Sequence, residues 1–260
     1  MVLKGKTILI TGASSGIGRA TALECAKRGA NVVLAARRIQ RLESAAAECT
    51  ALGVNAVAIV TDVTRPDDCR KLIAKAGTVD ILINNAGFAV FDPIADAKPD
   101  ELRAMMDVNY FGTVNCTQAV LPQMLERRSG TIVNVASIAG LMGYARMGGY
   151  CATKFAMIGF TESLRDEVIG QGVRVALVCP STTETEFFVK AERGKMPGAS
   201  RLILAVPAEK VARVICKSAE DGRFRRTYPL FASMFIKFKE IAPRLAHAFF
   251  RTTSRMLERG

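Results

Sequence analysis

Tyr150 and Lys154 lie four residues apart, and Ser137 lies thirteen residues before the tyrosine. On a helix, positions i and i+4 share one face. A tyrosine hydroxyl titrates near pH ~10 and is a poor base at neutrality. A fixed ammonium beside it favours the phenolate and lowers that value. Such a phenol can give and take a proton at working pH, which is general acid–base catalysis. The Ser137 hydroxyl would hold the substrate oxygen. A lone Tyr-x-x-x-Lys is more often plain helix surface, so the pair needs support from elsewhere in the chain.

That support comes from Thr11-Gly-Ala-Ser-Ser-Gly-Ile-Gly18, which follows an apolar run and opens a helical one. Glycines in such a strand-to-helix turn let the backbone approach a pyrophosphate, and the helix N-terminus favours negative charge. Gly12, Gly16 and Gly18, with Ser14, Ser15 and Ile17 between them, are therefore the expected phosphate cradle. The end of the second strand sets the nucleotide. A chain that binds NAD(H) usually places an acidic residue there for the ribose 2′-hydroxyl. Here Ala36 is followed by Arg37 and Arg38. Paired guanidiniums suit a 2′-phosphate, and Ser15 adds a hydroxyl, so NADP(H) is expected ahead of NAD(H).

These residues need a scaffold. Apolar runs with strand character cover Lys6–Thr11, Asn31–Ala36, Asn55–Val60, Val79–Asn84, Thr131–Ala136 and Val173–Cys179. Helical stretches at Ile17–Arg28, Arg38–Leu52, Pro66–Ala76, Glu101–Arg128 and Gly149–Ile169 separate them. Continuous Val/Ile/Leu/Ala runs mark strands buried on both faces, and alternation with helices marks a parallel sheet with right-handed crossovers. The expected fold is α/β: a Rossmann-type doubly wound parallel sheet of about seven strands, helices on both faces, and a C-terminal helical extension. Residues 1–222 form one domain carrying a substrate lid at 183–205, and residues 223–260 form a basic amphipathic extension.

Half of the 260 residues are apolar, enough for one well-packed domain of this class. No uncharged apolar stretch reaches the ~18 residues of a spanning helix. The first residues lack the order of a signal peptide. The seven cysteines form no Cys-x-x-Cys pair and read as small apolar residues in a reducing compartment. No disulfide framework and no metal site is expected. Cys151 adjoins Tyr150, but His247, the sole histidine and the base a nucleophilic cysteine would want, lies far along the chain. The expected location is cytoplasmic.

The net charge of +12 is uneven: from Arg223 to Gly260 nine Arg and Lys face two Glu. Leu230, Phe231, Met234, Phe235, Phe238 and Ile241 fall at helical spacing on one broad face, with Lys237, Lys239 and Arg244 mostly beside or opposite it. A basic amphipathic helix of this kind suits an anionic membrane surface, on the cytoplasmic side. It equally suits packing on the enzyme body or at a subunit interface. Nucleic acid would explain the charge but not the apolar face.

In these motifs the chain resembles the short-chain dehydrogenase/reductase family over residues 5 to about 220, and within it the tail-extended members acting on lipids, steroids or retinoids. The resemblance implies that Asp62-Val63 contacts the adenine, and that Asn84-Asn85-Ala86-Gly87 supports the sheet and lines the cofactor site through Asn85, Ala86 and Gly87. It implies a catalytic tetrad of Asn109, Ser137, Tyr150 and Lys154. Tyr150 exchanges the proton, Ser137 bonds the substrate oxygen, Lys154 binds the nicotinamide ribose, and Asn109 holds a relay water. Pro180, Thr182 and Thr185 fit the cofactor-contacting segment after the sixth strand. Ser181 stands where the family commonly has glycine, which leaves that loop's shape open.

The function these residues imply is NADP(H)-dependent interconversion of a ketone or aldehyde and an alcohol, on a lipophilic small-molecule substrate, by a homodimer or homotetramer. A 3-oxoacyl reductase of fatty-acid type is a second reading. A non-catalytic NADPH-binding module at a membrane is a third; it should have lost one of Ser137, Tyr150 or Lys154, and none is lost.

Overall fold

The computed structural model describes residues 3–187, 205–242 and 244–245, the side chain of Phe235 excepted. Most of the expected lid, including Phe188, Gly194, Pro197 and Gly198, lies outside the described residues, as do His247 and the end of the tail.

The chain alternates strands and helices through most of its length: β1 (Thr7–Thr11), α1 (Gly16–Lys27), β2 (Asn31–Ala36), α2 (Ile39–Thr50), β3 (Ala56–Val60), α3 (Pro66–Ala76) and β4 (Ile81–Asn84). There follow α4 (Pro99–Met106), α5 (Gly112–Glu126), β5 (Gly130–Val135), α6 (Gly148–Glu167) and β6 (Val173–Pro180). Short strands β7 (Thr183–Glu184) and β8 (Val206–Pro207) precede α7 (Ala208–Asp221), β9 (Arg225–Tyr228) and α8 (Leu230–Ile241). Seven strands form one sheet in the order β3-β2-β1-β4-β5-β6-β9, and every pairing in it is parallel. The seventh strand comes from the segment expected as extension, which therefore joins the sheet before turning helical.

Apolar side chains of α1, α2 and α7 cover one face, with Ile8, Ile10, Leu34, Ile81 and Ile83 beneath them. Residues from α3, α5 and α6 cover the other, over Leu9, Leu82, Ile132 and Val175. Chain order reverses between β1 and β4, so the loops leaving these strands diverge and open a crevice at their C-terminal ends, the usual ligand position in such sheets.

A row of polar side chains crosses the second core. Asn84 Nδ2 donates to Thr117 Oγ1 at 3.1 Å and to Asn134 Oδ1 at 2.9 Å, and Asn134 Nδ2 donates to Thr161 Oγ1 at 2.9 Å. These bonds join α5, β4, β5 and α6 through groups shielded from water.

The helix expected over 101–128 is not uniform. Between α4 and α5 the chain widens into a π-helical turn at Asp107–Phe111. Such widenings recur at functional sites because they redirect a side chain that a regular helix would send elsewhere. Asn109 occupies this one and is fully buried.

The tail helix α8 packs by a face the spacing argument did not single out. Ala232 and Ile236, one turn apart, are buried against Ile138 and Met142, with Leu141 and Tyr144 alongside. The broad apolar face stays exposed, with Leu230 at 73%, Met234 at 67% and Ile241 at 84% of full exposure. One side of the helix thus packs on the enzyme body, as one of the two expectations had it, and the opposite side is exposed. No helix among the described residues is long and apolar enough to cross a membrane.

Candidate active site

The glycine turn has little freedom. Gly12 has φ of +67°, and a Cβ there would stand 2.8 Å from Ala86 Cα. A Cβ on Gly18 would lie 2.3 Å from the Gly12 carbonyl oxygen, so Gly18 keeps α1 tight against the turn. Thr11, which sequence reasoning missed as a site residue, ties the turn to the loop after β4. Its Oγ1 accepts from the Asn85 amide at 3.0 Å and the Ala86 amide at 3.1 Å. Asn85 returns the link by donating Nδ2 to the Thr11 carbonyl at 3.0 Å. Asp62 accepts from the amide and hydroxyl of Thr64, at 3.0 and 2.8 Å, which fixes the loop beyond β3.

These loops surround a cavity of about 290 Å³. Gly12, Ser14, Ser15, Gly16, Ile17, Arg37, Arg38, Asp62, Val63, Asn85, Ala86 and Gly87 line it together with Ser137, Tyr150, Lys154, Pro180, Thr182 and Thr185. Two expected site residues do not line it: Gly18, behind the turn, and Asn109. The Asn109 side chain is spent on structure. Its Oδ1 accepts from the Phe88 amide, and its Nδ2 donates to the Phe88 carbonyl, each at 2.9 Å, and to Thr153 Oγ1 at 3.0 Å. It thereby joins the loop after β4 to α6 one turn from Tyr150. Thr153 is a second residue the sequence reading missed, and no spacing rule would have found it. Tyr144, Met147 and Phe187 are further lining residues that no motif marked.

Tyr150 and Lys154 share the inward face of α6, both nearly sealed from solvent. Ser137 faces the Tyr150 phenol closely enough to favour its ionised form, and it caps the short helical turn after β5 by accepting from the Ala139 amide at 3.1 Å. Lys154 Nζ donates to the Val135 carbonyl at 3.1 Å and lies 5.8 Å from the Tyr150 ring centroid.

The expectation that Lys154 lowers the phenol's pKa is outweighed by burial. Burial pushes Tyr150 well above its ordinary value, and Ser137 only partly opposes it. Burial also pushes Lys154 down to about 8. Both groups have left water, and desolvation disfavours the charged form of each. The phenol is therefore held as a proton donor, with a weakened cation behind it.

At the other end of the cavity, Arg37 is exposed and has no ion-pair partner among the described residues. Arg38 donates Nη2 to Ser14 Oγ at 3.0 Å and to Ser15 Oγ at 2.7 Å. The chain itself has no acidic residue directly after β2. Ser181 has no positive φ, so serine replaces glycine there without backbone strain; its buried hydroxyl has no partner among the described residues. A glycine cradle closed to side chains, positive charge at one end and a buried proton donor at the other fit a nicotinamide dinucleotide.

Fold and site together describe an oxidoreductase of the dinucleotide-binding α/β type. The family model for short chain dehydrogenases matches residues 6–195, and the chain belongs to that family. It is 36% identical over 228 residues to a 3-oxoacyl-[acyl-carrier-protein] reductase of Thermotoga maritima, covering 85% of this chain and 93% of the relative. It is 41% identical over 194 residues to an NADP-dependent 3-hydroxy acid dehydrogenase of Schizosaccharomyces pombe, covering 72% and 75%. A short-chain dehydrogenase/reductase from Burkholderia phymatum, solved in complex with NAD, superposes with a TM-score of 0.86 at 26% identity, covering 94% of this chain and 96% of that one.

Proposed function

We propose that the protein is an NADP(H)-dependent reductase of ketones or aldehydes, acting in reverse as an alcohol dehydrogenase on a lipophilic substrate. The observation that carries this reading is one cleft with a buried Tyr150–Ser137 pair at one end and, at the other, Arg37 and Arg38 directly after β2, where the chain has no acidic residue.

In this reading the glycine turn and the N-terminus of α1 hold the pyrophosphate. Arg37 and Arg38 hold the 2′-phosphate, and Asp62 and Val63 flank the adenine. The nicotinamide supplies the hydride. Ser137 positions the substrate oxygen, and Tyr150 delivers a proton to it. Lys154 sits behind the phenol, and its ammonium stabilises the phenolate left once the proton has moved. Asn109 is a positioning residue here: its side-chain bonds fix α6 against the loop after β4, so any relay water would be held by main-chain groups.

Phe88, Met147 and Phe187 give the proton-donor end apolar walls, which supports a lipophilic substrate over a charged one. The relatives named above keep a 3-oxoacyl thioester in view as the alternative substrate. NADPH oxidation against ketones, aldehydes and 3-oxoacyl thioesters separates the two. In the same assay, Arg37→Ala should raise the Kd for NADPH about tenfold and leave NADH within twofold, as expected for loss of one charge-assisted contact. Equal loss for both nucleotides would remove the 2′-phosphate assignment.

We read the protein as cytoplasmic and homo-oligomeric. Half-exposed Phe111, beside α5, and Phe155, on α6, support an interface through the long helices. We also read the exposed face of α8, with Lys237 and Lys239 on the same helix, as docking on an anionic bilayer. Because Ile138 and Tyr144 both line the cleft and pack under α8, docking would bring the cleft to the membrane. Vesicles containing phosphatidylserine should float the full chain and not Met234→Glu/Ile241→Glu; equal flotation would discard the bilayer.

A further inference from the structure

Three consecutive residues reach across the whole cleft. The Thr185 methyl packs on the phosphate turn, where a Cβ on Gly16 would meet it at 3.0 Å. The Phe187 ring lies edge-on to Tyr150, with centroids 5.5 Å apart. Between them, Glu186 turns toward the positive end of the cleft. Its carboxylate accepts two hydrogen bonds from Arg41 Nη1, at 2.6 and 2.7 Å, and one from Arg38 Nη1 at 3.4 Å. The two arginines hold this carboxyl below its ordinary range.

Arg38 is thus already occupied. One nitrogen of its guanidinium serves Ser14 and Ser15, and the other faces a carboxylate. Arg37, by contrast, is exposed and has no ion-pair partner among the described residues. We propose that Glu186 is a specificity-determining residue: its carboxylate is an internal stand-in for the 2′-phosphate, which must displace it from Arg38 in order to bind. This inference rests on the NADP(H) reading and sharpens it.

The chemistry favours exchange. A phosphate carries more charge and more acceptor oxygens than a carboxylate, and a guanidinium fork pairs with either. The Glu186 contact is solvent-exposed, with side chains at 36% and 47% of full exposure for Arg38 and Glu186, so it is weak. It penalises a nucleotide bearing a 2′-phosphate and is indifferent to one without. Once displaced, the carboxylate can remain on Arg41. Because Thr185 and Phe187 flank Glu186 in the chain, the exchange is read at both the phosphate turn and the phenol.

Calorimetric titration of the full chain with 2′,5′-ADP and 5′-AMP isolates the step from catalysis. Glu186→Gln should tighten 2′,5′-ADP by roughly 1.5- to 5-fold, the range set by an exposed ion pair, and leave 5′-AMP unchanged. Glu186→Asp, which keeps the charge, should fall between wild type and Glu186→Gln. Unchanged or weaker binding of 2′,5′-ADP by Glu186→Gln, or an equal gain for both fragments, overturns the proposal. The wild-type preference between the fragments tests the NADP(H) reading separately: without one that reading fails, while the gain in the variant still decides the role of Glu186.

Discussion

Tyr150→Phe should lower kcat by about 10³-fold, within the 10²–10⁴ range for a positioned proton donor, while leaving the Kd for NADPH within about twofold. The phenol is buried beside Ser137. Removing the hydroxyl takes away the donor, keeps the ring, and leaves Ser137 bonded to the Ala139 amide. The edge contacts of the ring with Phe91 and Phe187 survive, so folding should be little changed. Stopped-flow hydride transfer, with NADPH binding measured alongside, checks both halves. An unchanged rate would refute Tyr150 as the proton donor.

Lys154→Met should do something less usual: reduce turnover by a comparable factor and stabilise the fold. Burial pushes the lysine from 10.5 to about 8, so the folded protein at pH 7 carries a buried ammonium against its preference. In the unfolded chain the same group keeps its proton to about 10.5. Between pH 8 and 10.5 the unfolded state binds more protons, so the lysine's contribution to stability rises with pH there. Below 8 both states are protonated and the whole cost of burial is present. The cost is on the order of 3 kcal/mol, partly offset by the bond to the Val135 carbonyl, whose loss costs about 1 kcal/mol. A net gain of about 1–2 kcal/mol is expected near pH 7, shrinking as pH rises from 8 to 10.5. Urea melts at pH 7 and 10 measure it. A variant less stable than wild type at pH 7, or a gap that widens with pH, would contradict the buried-charge account.

Much of this was legible in the sequence because the informative residues are constrained by backbone geometry. Gly12, Gly16 and Gly18 announce the turn because no side chain fits there, and continuous apolar runs announce strands covered on both faces. The protonation states were not legible. A spacing of four predicted that the lysine would draw the phenol's pKa down, but both groups are desolvated, and burial depth is not written in spacing. The π-turn at Asp107–Phe111 was equally silent, since its sequence carries no Gly or Pro, and the bonds Asn109 makes from it to Phe88 and Thr153 join segments far apart in the chain. The covered face of α8 was missed for a related reason: Ala232 and Ile236 lie off the broad Leu/Phe/Met/Ile face of the helix, and what selects them is the surface beneath. Glu186 was invisible because its partners lie about 145 residues away in the chain.

The polar row through the second core has a consequence for alignment. Asn84 and Asn134 stand opposite each other in the pairing of β4 with β5, and their amides meet only in that register. A purely aliphatic interface could slide by two residues and still bury its surface. Here a slide would strand several amide and hydroxyl groups away from water, each at about 1–3 kcal/mol. The row works as an index pin. It sets the relative heights at which the Asn85–Gly87 loop and Ser137 leave the sheet, so parts of the cleft supplied by strands far apart in the chain arrive level with one another.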